Sequence, residues 1–537
     1  MKHYYFMAVL TILSATAHAQ ETPQPLSIIP EPAEIIYSDG EFAINRSTLI
    51  IAGKEELSSA NFLEGYIKQY LGYPLNIEKK GKGSNCISLV NLKNGNTAGG
   101  YTLEVSPEGI AVSGNDAPGV FYGVQTLIQL LPTRAGVLPV LPAVTIHDYP
   151  RFEYRGMHLD VVRHYFPVAY IKKYLDYMAL HKLNYFHWHL TDDQAWRLEM
   201  KSHPRLTEFG SNREGEIEGL YPGVYKELPY GGYYTQEEAK EIIAYAAERY
   251  ITVIPEIDIP GHNMAVLATY PHFSTTPDEP KKAALTWGIY NKFNNVLAPT
   301  PEVFAFLKDV FSELCDIFPG QYIHVGGDEC AKRWWEESEQ AQLFIKEKGL
   351  KDEKALQSYF IHYVQDVLKG KGKTLIGWDE ILEGGIDKDC IIMNWRRVNH
   401  GINAARKGNR TIMTSSAYSY FNRVESRSQS EIGAGNPLSL KKVYEYQIVP
   451  EELTAEEAKL IWGAQGCLWT EYIPTTWKVE FSIFPRMSAM AENVWSVKEK
   501  DWDNFVRKMP TQFDRYDLWG VRYSESFFRV NDVVRKR

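Results

Sequence analysis

The chain has 537 residues, enough for two or three domains, and its 44% hydrophobic and 23% charged content is ordinary for a globular protein. A net charge of −9 with no basic block argues against nucleic acid or an anionic membrane surface as partner. The 13 Trp and 34 Tyr weigh slightly toward a carbohydrate ligand, since aromatic faces stack on sugar rings.

Residues 1–19 read as a secretory signal peptide. Lys2 and His3 precede an apolar run over 4–13, and Ala17-His18-Ala19 fits a small-x-small cleavage pattern with Gln20 as the mature start. The run is too short to span a bilayer comfortably, and no later stretch reads as a transmembrane segment. Export is therefore expected, to a periplasmic, cell-surface or secreted location. Cys86, Cys315, Cys330, Cys390 and Cys467 make neither a CxxC pair nor a zinc spacing, so they read mostly as buried thiols.

Residues 20–148 read as a smaller α+β domain. Strand-like runs occur at 48–51, 86–90, 101–105 and 110–112, with helices at 57–71 and 118–131. No chemical constellation stands out there, which suggests a scaffold. The pattern changes over 142–150. From 149 to 500 strands and helices alternate, with eight candidate strands at 154–160, 184–190, 251–257, 322–326, 374–378, 391–395, 411–414 and 463–469. Thr235 to Glu238 reads as a capping box, and Thr300-Pro301 as another helix start. Eight strand–helix units imply an α/β fold, a (β/α)8 barrel, with its active site at the carboxyl ends of the strands. A doubly wound sheet is the alternative, but no glycine-rich phosphate loop is present. Residues 501–537 read as a helical segment packed on the barrel.

The most informative stretch is Tyr322-Ile323-His324-Val325-Gly326-Gly327-Asp328-Glu329. A short apolar strand ends in two glycines, and two adjacent acids follow at the turn. Acids at the end of a buried strand need partners or a task. Other predicted strand ends carry Arg163, Asp192 with Asp193, Glu256 through His262, Trp378 with Asp379 and Glu380, Trp395, and Trp469 with Glu471. Salt bridging or core packing explains any one of these, but not their joint placement at one end of a barrel.

A double-carboxylate retaining glycosidase needs its acids about 5–5.5 Å apart across the scissile bond. Adjacent residues of an extended chain point in opposite directions, so Asp328 and Glu329 are expected to have separate tasks.

The segments Leu159 through His164, Trp188 through Gln194, Gly231 through Thr235, Pro255 through His262, His324 through Glu329, Gly377-Trp378 and Leu468 through Glu471 strongly resemble glycoside hydrolase family 20, the β-N-acetylhexosaminidases. They occur in the family's order, and the small leading domain also resembles one that often precedes this barrel. The resemblance implies an exported bacterial enzyme that removes terminal N-acetylglucosamine by retaining, substrate-assisted catalysis without a cofactor or metal. Glu329 would be the acid and base, Asp328 the orienting carboxylate, and Tyr420 a donor to the acetamido oxygen. It further implies that Asp192 and His262 support Glu329. Trp378, Trp395 and Trp469 would wall the acetamido pocket, and Arg163 and Glu471 would grip the 3- and 4-hydroxyls. As acid, Glu329 would need a raised pKa, which burial and a neighbouring carboxylate supply.

One position departs from the family's commoner Tyr-x-Asp pattern. Here Tyr420 is followed by Asn422 and Arg423, a pairing that resembles members accepting charged sugars. A guanidinium in place of a carboxylate favours an anion, so 6-O-sulfated N-acetylglucosamine, as found in mucin-type or glycosaminoglycan glycans, is an expected substrate. The partner is then a glycan with a terminal N-acetylhexosamine, met by a monomer or homodimer. Two other classes compete. One is a metal-dependent barrel hydrolase using His187-x-His189 with His262, His324 and Asp328. The other is a catalytically dead glycan-binding barrel, which would be expected to lack Asp328, Glu329 or Tyr420.

Overall fold

A computed structural model describes residues 25–81, 84–220, 222–285, 287, 289–427 and 432–530. The expected signal at 1–19 lies outside the described residues. Among those described, no helix is long and apolar enough to cross a membrane.

The leading part is a seven-stranded mixed sheet. Its spatial order is Glu34–Ala43, Val140–Asp148, Tyr101–Ser106, Gly109–Gly114, Cys86–Asn91, Leu49–Ala52 and Asn76–Glu78. Helices Leu57–Leu71 and Ala117–Leu130 supply apolar residues to its core. The second starts cleanly because Asp116 accepts from Gly119 N at 2.7 Å and a proline occupies its first turn.

Three strands escape the sequence reading. Glu34–Ala43 is largely exposed and its register slips between Tyr37 and Glu41, so no alternation marks it. Val140–Asp148 coincides with the stretch taken as a change of pattern. Its Pro142 pairs opposite Glu41, where the ladder is irregular and a missing N–H is tolerated. Asn76–Glu78 is too short to leave a pattern.

All eight expected strands close into a parallel barrel. In chain order they are Tyr154–Asp160, Tyr185–His189, Thr252–Glu256, Tyr322–His324, Thr374–Trp378, Ile391–Asn394, Thr411–Met413 and Ile461–Leu468. Helices between them are capped where the sequence indicates. Thr235 and Glu238 form the capping box of Gln236–Ala247, and Thr300 accepts from Val303 N above Pro301–Ile317.

The small sheet and the barrel share a buried ion pair. Lys182 Nζ lies 2.9 Å from Asp148 Oδ2, which also accepts from Tyr101 OH at 2.6 Å and Trp495 Nε1 at 2.9 Å. The helix Trp502–Trp519 joins the same two bodies. Tyr516 OH meets Ser488 Oγ on the barrel side at 2.6 Å, while Arg515 donates to the carbonyls of Ser27 (2.7 Å) and Gln129 (2.8 Å).

Candidate active site

The turn after the fourth barrel strand is built by backbone conformation. Gly326 and Gly327 adopt φ of 65° and 93°. A Cβ on Gly326 would stand 1.9 Å from Asp258 Oδ1, and one on Gly327 would stand 2.4 Å from Ile381 Cγ2. Only glycine fits either position. Glu329 itself takes φ of 43°, a left-handed conformation that a glutamate holds only when its surroundings demand it.

This overturns one expectation. The chain at Asp328-Glu329 is not extended, and the two side chains do not diverge. Both point to one imidazole, with Asp328 Oδ2 3.7 Å and Glu329 Oε2 3.6 Å from His262 Nε2. The acids differ in surroundings instead. The Asp328 side chain is 14% exposed and its Oδ1 is buried without a hydrogen-bond partner, whereas the Glu329 side chain is 41% exposed at the mouth. Burial raises the pKa of Glu329, opposed by His262 and assisted by the Asp328 charge.

His262 follows the third strand and also holds a positive φ, 54°. Its Nδ1 lies 3.1 Å from Asp192 Oδ1 and 2.9 Å from Asp193 Oδ2. Burial alone would lower its pKa, but those two carboxylates outweigh it and hold the ring as imidazolium. Asp192 in turn receives Arg163 Nη2 at 2.8 Å and His189 Nε2 at 2.9 Å on Oδ2. Arg163 is anchored on Asp160 at 3.1 Å and Gln194 Oε1 at 3.0 Å, and its guanidinium lies 5.2 Å from the Trp469 ring centre.

Trp378 and Trp469 are buried together inside the barrel mouth, ring centres 5.9 Å apart. Trp395 and Tyr420 pack against that cluster and stack on each other, with centroids 6.2 Å apart at 18°. Each indole has a fixed orientation where a partner is present: Trp378 Nε1 donates to Glu256 Oε1 at 2.8 Å, and Trp395 Nε1 to Glu380 Oε2 at 2.9 Å. Burial holds the Tyr420 phenol well above its ordinary pKa, so it stays a donor. Glu471 is near Arg163, with a buried Oε2 that has no hydrogen-bond partner. Asn422 is buried with an unpartnered Oδ1. Arg423 is half-buried, with its guanidinium beside Gly435 and within electrostatic reach of the Tyr420 hydroxyl.

The arrangement therefore brings Arg163, Asp192, His262, Asp328 and Glu329 into one polar wall. Trp378, Trp395, Tyr420 and Trp469 form the facing aromatic wall. Asn422 and Arg423 belong to the loop beyond Tyr420, and that loop also lines a small pocket with Glu425, Lys478 and Arg486. Sequence reading gave no role to Glu256 or Asp193, and treated His189 only as a possible metal ligand. The alternation His187-Trp188-His189 was the available signal: Trp188 turns outward to pack among the helices, so both histidines face the barrel interior.

Of the histidines in the metal reading, His189 meets a carboxylate at each ring nitrogen, at 2.6 Å and 2.9 Å, and His262 Nδ1 faces Asp192 and Asp193.

Residues 152–498 match the catalytic domain of glycosyl hydrolase family 20, and residues 25–149 match domain 2 of that family. A β-hexosaminidase of Porphyromonas gingivalis is 39% identical over 532 residues, covering 96% of this chain and 67% of the relative. A Vibrio furnissii β-hexosaminidase is 34% identical over 502 residues, covering 91% and 80%. Among solved structures, a family 20 exo β-N-acetylglucosaminidase of Vibrio harveyi bound to N-acetylglucosamine superposes with a TM-score of 0.84 at 33% identity, covering 94% of this chain and 80% of that one. With its barrel and its leading domain both matched, this chain belongs to glycosyl hydrolase family 20.

Proposed function

We propose that the protein is an exo-acting β-N-acetylhexosaminidase that removes terminal N-acetylglucosamine with retention of configuration. The observation that carries the reading is the pair Asp328–Glu329. Asp328 keeps a buried Oδ1 without a hydrogen-bond partner, Glu329 sits at the mouth, and burial raises the pKa of both.

In the first step the acetamido oxygen of the bound sugar attacks its own anomeric carbon. The bond to the leaving oxygen breaks, and Glu329 gives its proton to that oxygen. Asp328 accepts the acetamido N–H through Oδ1 and balances the positive charge of the oxazolinium. The neutral Tyr420 phenol donates to the acetamido oxygen. In the second step Glu329, now a carboxylate, takes a proton from water as that water attacks the anomeric carbon, and the acetamide is restored. Trp378 and Trp469 enclose the methyl group and exclude water, which strengthens each of these interactions.

The chemistry needs a 2-acetamido group. Comparing aryl β-glycosides of N-acetylglucosamine and of glucose tests it: cleavage of the first and not the second is expected, and equal cleavage would refute the reading. The finer reading is that the sugar can carry a 6-O-sulfate. The unpartnered Asn422 Oδ1 and the half-buried Arg423 guanidinium support it. The signal-like residues 1–19 support action outside the cytoplasm, which sequencing the amino terminus of the mature protein checks.

A further inference from the structure

The barrel interior below the acids carries a continuous polar chain. Tyr154 OH donates to Gln465 Oε1 at 2.5 Å, which fixes the amide so that its Nε2 faces His187 Nδ1 at 3.0 Å. His187 Nδ1 therefore accepts, and its proton sits on Nε2, 2.9 Å from Glu256 Oε2. Glu256 also receives His189 Nδ1 at 2.6 Å and Trp378 Nε1 at 2.8 Å. On its far side His189 Nε2 reaches Asp192 Oδ2 at 2.9 Å, and Asp192 Oδ1 reaches His262 Nδ1 at 3.1 Å. Glu256 and His189 are fully buried.

His189 lies between two groups that only accept. A neutral ring would turn a lone pair toward one of the two carboxylates in a buried interior, so both nitrogens donate. Burial alone would lower its pKa, but Glu256 and Asp192 outweigh burial and raise it to about 10. The other groups near it do not cancel this charge. His158, with its ring 5.8 Å away, and His187 are held neutral by burial, and Trp469 is uncharged at 4.9 Å. His324 approaches Glu256 rather than His189, with Nδ1 3.1 Å from Oε1. Asp160 and Arg163 pair with each other beside Asp192, and Asp193 faces His262. Charge thus alternates from Glu256 through His189, Asp192 and His262 to the catalytic acid.

We propose that His189 and Glu256 are positioning residues for the acid–base step. His189, held by Glu256, engages one oxygen of Asp192 from beneath, so that its other oxygen fixes His262 against Glu329. This rests on the assignment of Glu329 as the acid. Neither residue is assigned a sugar contact, so their main effect falls on proton transfer. Trp378 links Glu256 directly to the sugar pocket, and Arg163 links His189 to it through Asp192; Glu256→Gln keeps an acceptor for Trp378.

The test uses Glu256→Gln and His189→Gln, with two aryl β-N-acetylglucosaminides that differ only in leaving group. A dinitrophenolate departs without a proton, whereas a methoxyphenolate needs one. On the methoxyphenyl substrate kcat is expected to fall at least about tenfold. On the dinitrophenyl substrate the fall should stay under about threefold, since that step draws little on acid assistance. KM should hold within about twofold, because sugar contacts are untouched. In His189→Gln the alkaline limb of kcat/KM should move to higher pH, since the cation behind Asp192 is lost.

Equal losses on both substrates, or no change in either, overturn the proposal. If the unaltered enzyme cleaves neither glycoside, the functional reading has failed instead. Should both variants fail to fold, a neutron structure of the unaltered enzyme at neutral pD decides. Deuterium on both His189 nitrogens supports the proposal, and deuterium on one alone overturns it.

Discussion

Glu329 Oε2 stands 3.6 Å from His262 Nε2, with an imidazolium facing a carboxyl whose task requires a proton. The two demands oppose each other. Burial and the Asp328 charge favour the protonated acid needed to expel the leaving group, and His262 favours the carboxylate needed to activate water. A group poised between the two serves both steps. Glu329→Gln removes the titration altogether. Turnover of an aryl glycoside with a poor leaving group should fall about 10²–10⁴-fold, the usual reach of general acid catalysis. Binding of N-acetylglucosamine, read by calorimetry, should persist. Near-normal turnover would remove Glu329 from the role.

The pH profile follows from the same pair. Glu329 acts as acid only while protonated, and its pKa is raised, so activity is retained above the ordinary carboxylate range and lost as pH rises through the shifted value. His262→Asn removes the positive charge that opposes this shift. The alkaline limb of kcat/KM should therefore move to higher pH while kcat falls. A limb that stays in place would show that His262 does not set the ionisation of Glu329.

Much of this site was legible in the chain, and the parts that were not have a common cause. Asp328, Glu329 and the tryptophans lie at strand ends, where alternation and turn residues place them, whereas Tyr420, beyond the short helix Ser416–Ser419, was placed only by the family resemblance. The convergence of Asp328 and Glu329 on His262 was not legible, because it depends on a left-handed φ at a glutamate and no residue type announces that. Glu256 was hidden inside a strand, where a single acid is indistinguishable from a salt-bridged one until His189 Nδ1 and Trp378 Nε1 are seen beside it. In the leading domain, Val140–Asp148 was missed because its proline and the bulge opposite removed the period.

Lys182 and Asp148 join the leading sheet to the barrel as a fully buried pair, 2.9 Å apart. Removing one partner of such a pair leaves an uncompensated charge. Asp148→Ala should thus cost about 3–5 kcal/mol in urea unfolding. Tyr101 and Trp495 lose their acceptor in the same variant, so limited proteolysis near residues 149–152 should accelerate. The double variant Asp148→Leu with Lys182→Met should recover part of the loss. If the single variant unfolds like the parent, the pair contributes nothing.

Arg423 is half-buried, and burial lowers its pKa with only Tyr420 opposing. Among the described residues no carboxylate is found against its guanidinium, and a sulfate on the sugar 6-oxygen would supply an anion there. A charge-assisted hydrogen bond contributes about 1.5–3 kcal/mol, so Arg423→Ala should reduce kcat/KM on a 6-sulfated aryl N-acetylglucosaminide about 10- to 100-fold. The unsulfated glycoside should be hydrolysed as before. A loss shared by both substrates, or by neither, would leave Arg423 without a part in specificity.

Glu425 follows the same loop into the interior, next to Arg486. Burial, only partly offset by that guanidinium, raises its pKa from 4.5 to about 7. Below pH 4.5 it is protonated whether the chain is folded or not, and it has no effect on stability. As pH rises toward 7 the unfolded chain releases the proton while the folded one keeps it, so stability falls. Above 7 the carboxylate is ionised in both states and the penalty is constant, on the order of 3 kcal/mol. Glutamine mimics the neutral acid and does not titrate. Glu425→Gln should therefore be more stable than the parent at pH 8 and nearly equal to it at pH 5, read as urea midpoints at both values. A variant destabilised equally at the two pH values would show that Glu425 is ionised in the folded chain, with Arg486 as a true ion-pair partner.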